Sequence, residues 1–254
     1  MKALPDHARW NEPNVGHLFG YLYYKRSLYG KEDKDNFILG AAFRDSWLSS
    51  IRSLVLEGAT ARYPEVAEKG GYLVIKEPHG SIGAPLLMEA LPESRMVFLV
   101  RDPRDVAASA LHTSFTRNKG TRIRTGRLKK AEERPDDSVR VRARAYLRDI
   151  SLSKQAYEAH EGRKVLVRYE DLKADTLAEM KRIYAALEIP VDEVELSRAV
   201  EKHAFENVPK HKKGPGTVRR RGTSGGWRED LTSSQTQIVE SITTPILEEF
   251  YGER

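Results

Sequence analysis

Met96-Val97-Phe98-Leu99-Val100-Arg101-Asp102-Pro103-Arg104-Asp105-Val106-Ala107-Ala108-Ser109 is the stretch on which the fold turns. Its first five residues are apolar with no polar alternation, the pattern of a strand buried in a parallel sheet. Asp102 can then cap a helix, and Pro103 suits that helix's first turn, where a missing N–H costs nothing. Arg101 therefore stands at the carboxyl end of a strand, the end at which open α/β sheets bind ligands. Ser109 follows eight residues later, about two helical turns, so its hydroxyl can face the same side. An Arg and a Ser meeting at a positive helix start make an oxyanion clamp. The same residues would also serve as a capped helix carrying a surface arginine.

Two more apolar runs, Tyr72-Leu73-Val74-Ile75 and Lys164-Val165-Leu166-Val167, read as buried parallel strands. Between and after them lie helical patterns. Val139, Ala143, Tyr146, Ile150 and Tyr157 share one helical face, as do Leu177, Met180, Tyr184 and Leu187 ahead of Pro190. Thr232-Ser233-Ser234 opens a last helix through Ile238, Ile242 and Ile246. Strands alternating with helices predict an α/β fold, a parallel sheet flanked by helices. No repeat or linker divides the chain, so residues 1–254 read as a single domain. Residues 1–71 hold helical segments such as Phe37 to Leu56, but no convincing buried strand and no Gly-rich phosphate loop.

The chain has 39% hydrophobic and 31% charged residues, which excludes a disordered or membrane-embedded class. No apolar run approaches the roughly 20 residues of a membrane span. Cysteine is absent, which removes disulfides and thiolate metal sites and makes the cytoplasm the expected location. The net charge of +6 suits an anionic partner without choosing one. Position says more: Thr113 to Ala131 and Val208 to Arg228 each carry seven Lys or Arg and no acid. Such tracts fit solvated loops, a polyanionic small ligand or nucleic acid alike.

Inside the second tract lies Arg219-Arg220-Arg221-Gly222-Thr223-Ser224-Gly225-Gly226-Trp227-Arg228, whose glycines let backbone amides approach an anion. Together with Arg101 to Ser109 it resembles the 3′-phosphoadenosine 5′-phosphosulfate (PAPS)-dependent sulfotransferases. Arg101 and Ser109 look like that family's grip on the donor 3′-phosphate. Arg220 to Thr232 is similar to its R-K-G-x-x-G-D-W-K-x-x-x-T signature, with Arg221 for Lys and Gly226 for Asp. Arg168-Tyr169-Glu170-Asp171-Leu172 resembles its Y-E-D-L, whose Tyr lies near the adenine. Lys76-Glu77-Pro78-His79-Gly80-Ser81 resembles the K-E-P run of bacterial members. The four motifs keep the family's order over about residues 72–250.

The resemblance implies a P-loop nucleotide-hydrolase-like sulfotransferase fold. It implies that Arg101, Ser109, Tyr169, Arg220, Arg221 and Gly222 hold PAPS, with no metal required. Ala3-Leu4-Pro5-Asp6-His7-Ala8-Arg9-Trp10-Asn11-Glu12-Pro13 looks like the segment some twenty residues after the phosphosulfate loop, whose Glu is a general base in some members. Glu12 is thus the expected base, with Glu77 and His79 as alternatives, and Lys76 is expected to steady the bridging oxygen as it gains charge. The six other histidines lack metal-ligand spacing and are expected to be structural.

The first strand and its P-K/R-S-G-T-T-W loop have no counterpart after Met1. The chain as given is therefore expected to be poorly stable and essentially inactive, with its remaining elements still in the family arrangement. The basic loop from Thr113 to Pro135 is expected to be a lid or acceptor rim. The implied acceptor is a small molecule, carbohydrate or lipid carrying a hydroxyl or amine, rather than nucleic acid. The rival readings are a degenerate nucleotide-binding relative without turnover and a nucleoside-kinase-type phosphotransferase. The kinase would need a Walker lysine and a Mg²⁺ carboxylate, which this sequence does not display.

Overall fold

A computed structural model describes Leu4 and residues 6–29, 37–117, 134–209, 211, 213–214 and 224–252. The chain forms two compact units. The first comprises Met1–Phe98, Asp149–Val165 and Ile183–Ala199; the second comprises Leu99–Arg148, Leu166–Arg182 and Val200–Arg254.

In the first unit, strand β1 (His7–Asn11) pairs in parallel with β2 (Tyr72–Lys76), from His7 opposite Tyr72 to Asn11 opposite Lys76. The N-terminal stretch thus holds a strand, although not a buried one. His-Ala-Arg-Trp-Asn has no apolar run, and its ladder with β2 rather than its own hydrophobicity makes it extended. β2 is less buried than its apolar sequence suggests, with Ile75 39% exposed. Helix α1 (Val15–Tyr29) lies against the 3₁₀ turn Gly80–Gly83 at backbone distance. A Cβ on Gly16 would stand 2.6 Å from Gly80 O, and one on Gly20 would stand 2.5 Å from Gly83 Cα.

The expected helix from Phe37 begins later, as a 3₁₀ turn (Ala41–Phe43) running into α2 (Arg44–Arg62). Trp47, Ile51 and Val55 recur every fourth residue and form the buried stripe of α2. Trp47 and Ile51, with Leu39, Leu86 and Ala90, pack beside Phe19 and Tyr23 of α1. Helix α3 (Pro64–Glu68) and helix α4 (Ala84–Ala90) complete this part.

Strand β3 (Met96–Val100) and strand β4 (Lys164–Arg168) form a second two-stranded sheet. The Met96 N–H donates to Arg163 O at one end, and Arg101 stacks on Tyr169 at the other, so the strands run the same way. β3 is buried on one face: Met96, Phe98 and Val100 are covered, while Val97 and Leu99 are 40% and 47% exposed. Among the described residues the apolar run of β3 is therefore covered on one face only.

In the second unit, α5 (Pro103–Arg117) follows β3 directly, and α6 (Pro135–Ala159) begins there. Ala107, Ala108 and Leu111 of α5 pack against Val139 and Ala143 of α6, and against Leu231 and Val239. α7 (Tyr169–Ala174) and α8 (Thr176–Ala186) follow β4. α8 stops as expected before Pro190: Glu188 takes a left-handed φ of 48°, and the Ile189 N–H returns to Tyr184 O. After α9 (Glu193–His203) and α10 (Trp227–Asp230), helix α11 (Ser233–Tyr251) opens on the foreseen cap. Thr232 accepts the Gln235 N–H while the Gln235 side chain accepts the Thr232 N–H. Among the described residues no helix is long and apolar enough to cross a membrane.

Candidate functional site

The corner after β3 is held by several side chains of the second unit. Tyr146 on α6 donates its hydroxyl to Arg101 O, and the Arg101 N–H donates back to the Tyr146 hydroxyl oxygen at 3.4 Å. Burial pushes the Tyr146 phenol well above its ordinary range, so it remains a donor at physiological pH. The Arg101 guanidinium lies 4.5 Å above the ring of Tyr169, the first residue of α7. Its Nε is buried and has no hydrogen-bond partner among the described residues. A buried donor left unmade costs about 1–3 kcal/mol, so this nitrogen is suited to an incoming anion. Ser109 is exposed on α5 in the same unit.

The next residues lock that corner in place. The Asp102 N–H donates to Glu170 Oε1 at 3.1 Å, and Tyr251 of α11 donates to Glu170 Oε2 at 2.8 Å. Asp102 caps α5 as its sequence position suggested, accepting the Arg104 N–H at 2.8 Å. It also takes the Arg104 guanidinium, which reaches Glu240 at 3.0 Å. Arg104 and Arg228 lie 4.2 Å and 4.5 Å from the centre of the Trp227 ring, one from each motif.

Asp105 was not singled out from sequence, yet it joins the two motifs. Its buried carboxylate accepts the Gly225 N–H at 2.7 Å and the Trp227 N–H at 3.1 Å. Gly225 has a φ of 82°, a conformation that glycine adopts without strain. The available signal was that Asp105 lies one turn before Ala108 on the apolar face of α5, where a carboxylate needs partners. Arg220, Arg221 and Gly222 lie outside the described residues, as does most of the basic tract from Thr113 to Ala131.

The first unit brings Glu12 and Lys76 together. The Glu12 N–H donates to Lys76 O at 2.9 Å, and Lys76 Nζ stands 3.4 Å from Glu12 Oε1. The two side chains are 47% and 52% exposed, so the ion pair is worth about 0–1 kcal/mol. Glu12 and Asn14 have φ values of 56° and 62°, which cost about 1–3 kcal/mol each in non-glycine residues. The ion pair alone therefore does not hold this turn. Asn14 Nδ2 adds a bond to Glu12 O at 2.9 Å. Glu77 closes the far side by accepting the Gly16 N–H at 3.3 Å and the His17 N–H at 2.8 Å at the start of α1. Glu77, read from sequence as an alternative base, is thus committed to a helix terminus. His79 is exposed at the start of the Gly80–Gly83 turn.

Among the other histidines, His160 meets Ser94 O at 2.8 Å and His7 meets the Tyr184 hydroxyl at 3.2 Å. The arrangement offers an anion-binding corner with a stacked guanidinium, and a turn carrying a solvent-accessible carboxylate beside an amine.

A family model described as "Sulfotransferase family" matches residues 25–193, more than half of the chain. Cytosolic sulfotransferase 12 of Arabidopsis thaliana is 29% identical over 311 aligned residues, covering 99% of this chain and 91% of the relative. A mouse sulfotransferase complexed with PAP aligns with 71% of this chain and 67% of its own, at 18% identity and a TM-score of 0.49. Retinol dehydratase in a complex with retinol and PAP aligns with 99% of this chain and 84% of its own, at 16% identity and a TM-score of 0.46.

Proposed function

The chain belongs to the sulfotransferase family, and from that premise we infer that Arg101, Ser109, Tyr169, Arg220, Arg221 and Gly222 hold PAPS while Glu12 and Lys76 act on the reacting atoms. The reaction is transfer of a sulfuryl group from PAPS to an acceptor hydroxyl or amine. The observation that carries the donor assignment is the buried Nε of Arg101, which has no hydrogen-bond partner among the described residues, on a guanidinium stacked over Tyr169. A planar cation with a free donor suits a phosphate oxygen. The two amides bound by Asp105 lie three and five residues past Gly222, which supports assigning the Arg220–Gly222 run to the same donor.

In the proposed step the acceptor oxygen or nitrogen attacks sulfur, and the sulfur–oxygen bond to the 5′-phosphate breaks. The electron pair leaves with the bisphosphate product, PAP. Glu12 takes the acceptor's proton. Neutralising Glu12 frees Lys76 from its ion pair, and the ammonium can then meet the negative charge on the leaving oxygen. As proposed, cationic side chains carry that charge and no metal is needed.

The acceptor is a small molecule, with carbohydrates and lipids within the proposed class. The missing cysteines and a relative named as cytosolic support a cytoplasmic location. We also propose that residues 1–254 act as one functional domain. The test is incubation with PAPS labelled at sulfur and a panel of phenols, aliphatic alcohols and amines. Label should move to at least one acceptor class, and not from adenosine 5′-phosphosulfate, which lacks the 3′-phosphate. Tight PAP binding without any transfer would favour the degenerate relative, and transfer from γ-labelled ATP would favour the kinase.

A further inference from the structure

We propose that Glu77 is a positioning residue for Glu12, holding the turn from which the Glu12 carboxylate is presented. This rests on the reading of Glu12 as proton acceptor. Lys76 and Glu77 are consecutive at the end of β2, and they grip opposite ends of one short segment. Lys76 holds its beginning, through the Glu12 N–H on Lys76 O and the ion pair to Glu12 Oε1. Glu77 holds its end, through the Gly16 and His17 N–H groups on its two carboxylate oxygens. Between these anchors stand two left-handed non-glycine residues, Glu12 and Asn14, a conformation that persists only when its surroundings impose it.

The seat of Glu77 is itself shaped for a carboxylate. A Cβ on Gly80 would fall 2.7 Å from Glu77 Cδ and 2.8 Å from its Cγ, so glycine at that position leaves the side chain its room. Gly80 in turn backs directly onto Gly16, whose amide Glu77 accepts. The contact between α1 and the Gly80–Gly83 turn thus fixes the distance that Glu77 spans. Glu77 touches no reacting group in this account; it acts through the backbone of the Glu12 turn.

The test compares Glu77→Ala, Glu77→Gln, Gly80→Ala and Glu12→Gln by amide hydrogen exchange, PAP calorimetry and transfer from sulfur-labelled PAPS. Glu77→Ala should speed exchange of the Glu12 amide and lower kcat about tenfold or more, since a displacement near 1 Å can cost ~10²-fold. The Tyr72 amide, held by Asp6 O in the neighbouring ladder, should keep its protection, and PAP affinity should stay unchanged. Glu77→Gln still offers an amide-accepting oxygen and should recover most of the rate and protection. Gly80→Ala, which crowds Glu77, should reproduce the local loss. Unchanged Glu12 exchange in Glu77→Ala overturns the proposal whatever the turnover. Slow turnover in Glu12→Gln beside normal turnover in Glu77→Ala overturns positioning alone. Normal turnover in Glu12→Gln, with equal losses in Glu77→Ala and Glu77→Gln, would make Glu77 the base and overturn both readings.

Discussion

Around Arg101 the polar groups are buried or half-buried and each is fixed by a group distant in sequence: Tyr146 on the backbone, Glu170 between Asp102 and Tyr251, Asp105 on Gly225 and Trp227. Around Glu12 the ion-pairing side chains are each about half exposed, and geometry comes from the backbone, through two left-handed residues and an anchored helix start. The difference matches the two proposed jobs. A polyanion is held best by donors already aimed and already desolvated, which do not reorganise when it arrives. A carboxylate proposed to take a proton from an acceptor needs direction without enclosure. Substitutions in the first region should therefore change affinity and stability together, and those in the second should change turnover alone.

The sharpest way to break this contrast is Glu12→Gln. Loss of a general base costs ~10²–10⁴-fold, so kcat should fall by that order while PAP affinity holds. Equal loss of PAP affinity, measured by calorimetry, would make Glu12 part of the donor site. Next in size is Asp105→Ala, which strands the Gly225 and Trp227 amides at about 1–3 kcal/mol each if they stay buried. Here the melting temperature and PAP affinity should fall together. A stable protein with full affinity would uncouple the two motifs.

What the sequence disclosed follows from where the information lies. The α6 face from Val139 to Tyr157, the stop before Pro190 and the Thr232 cap were legible because each is written within a turn or two of itself. Strands β2, β3 and β4 were legible as apolar runs, though their one-sided burial was not, because the run does not tell which face a helix covers. Strand β1 was invisible because its partner, 65 residues away, makes it a strand. The amide partners of Asp105 and Glu77 were hidden for the same reason: they lie 120 and 61 residues off, and a carboxylate's role is set by what it meets.

Two smaller effects should separate fold from function in the first unit. Gly20→Ala drives a Cβ onto Gly83, and overpacking of this kind costs about 1–3 kcal/mol. It should lower the melting temperature and leave PAP affinity intact; a parallel loss of affinity would show the donor corner to be less self-contained than its contacts suggest. The smallest effect concerns His7. Burial pulls its pKa below 6.5, with Asp6 acting weakly the other way. The unfolded chain therefore binds the proton more readily, and stability should decline as pH falls below about 6.5 toward the lowered folded value. His7→Gln should flatten that part of the melting-temperature profile, and an unchanged slope would assign it to other groups.

The most direct test of the donor assignment is calorimetry of PAP and of adenosine 5′-monophosphate on the unmodified chain and on Arg101→Ala. A charge-assisted hydrogen bond is worth about 1.5–3 kcal/mol, so Arg101→Ala should weaken PAP binding by roughly 10- to 150-fold. The monophosphate, lacking a 3′-phosphate, should bind weakly to both and change little. Equal affinity for the two nucleotides, or full PAP affinity in Arg101→Ala, would contradict the claim that the corner after β3 grips the donor.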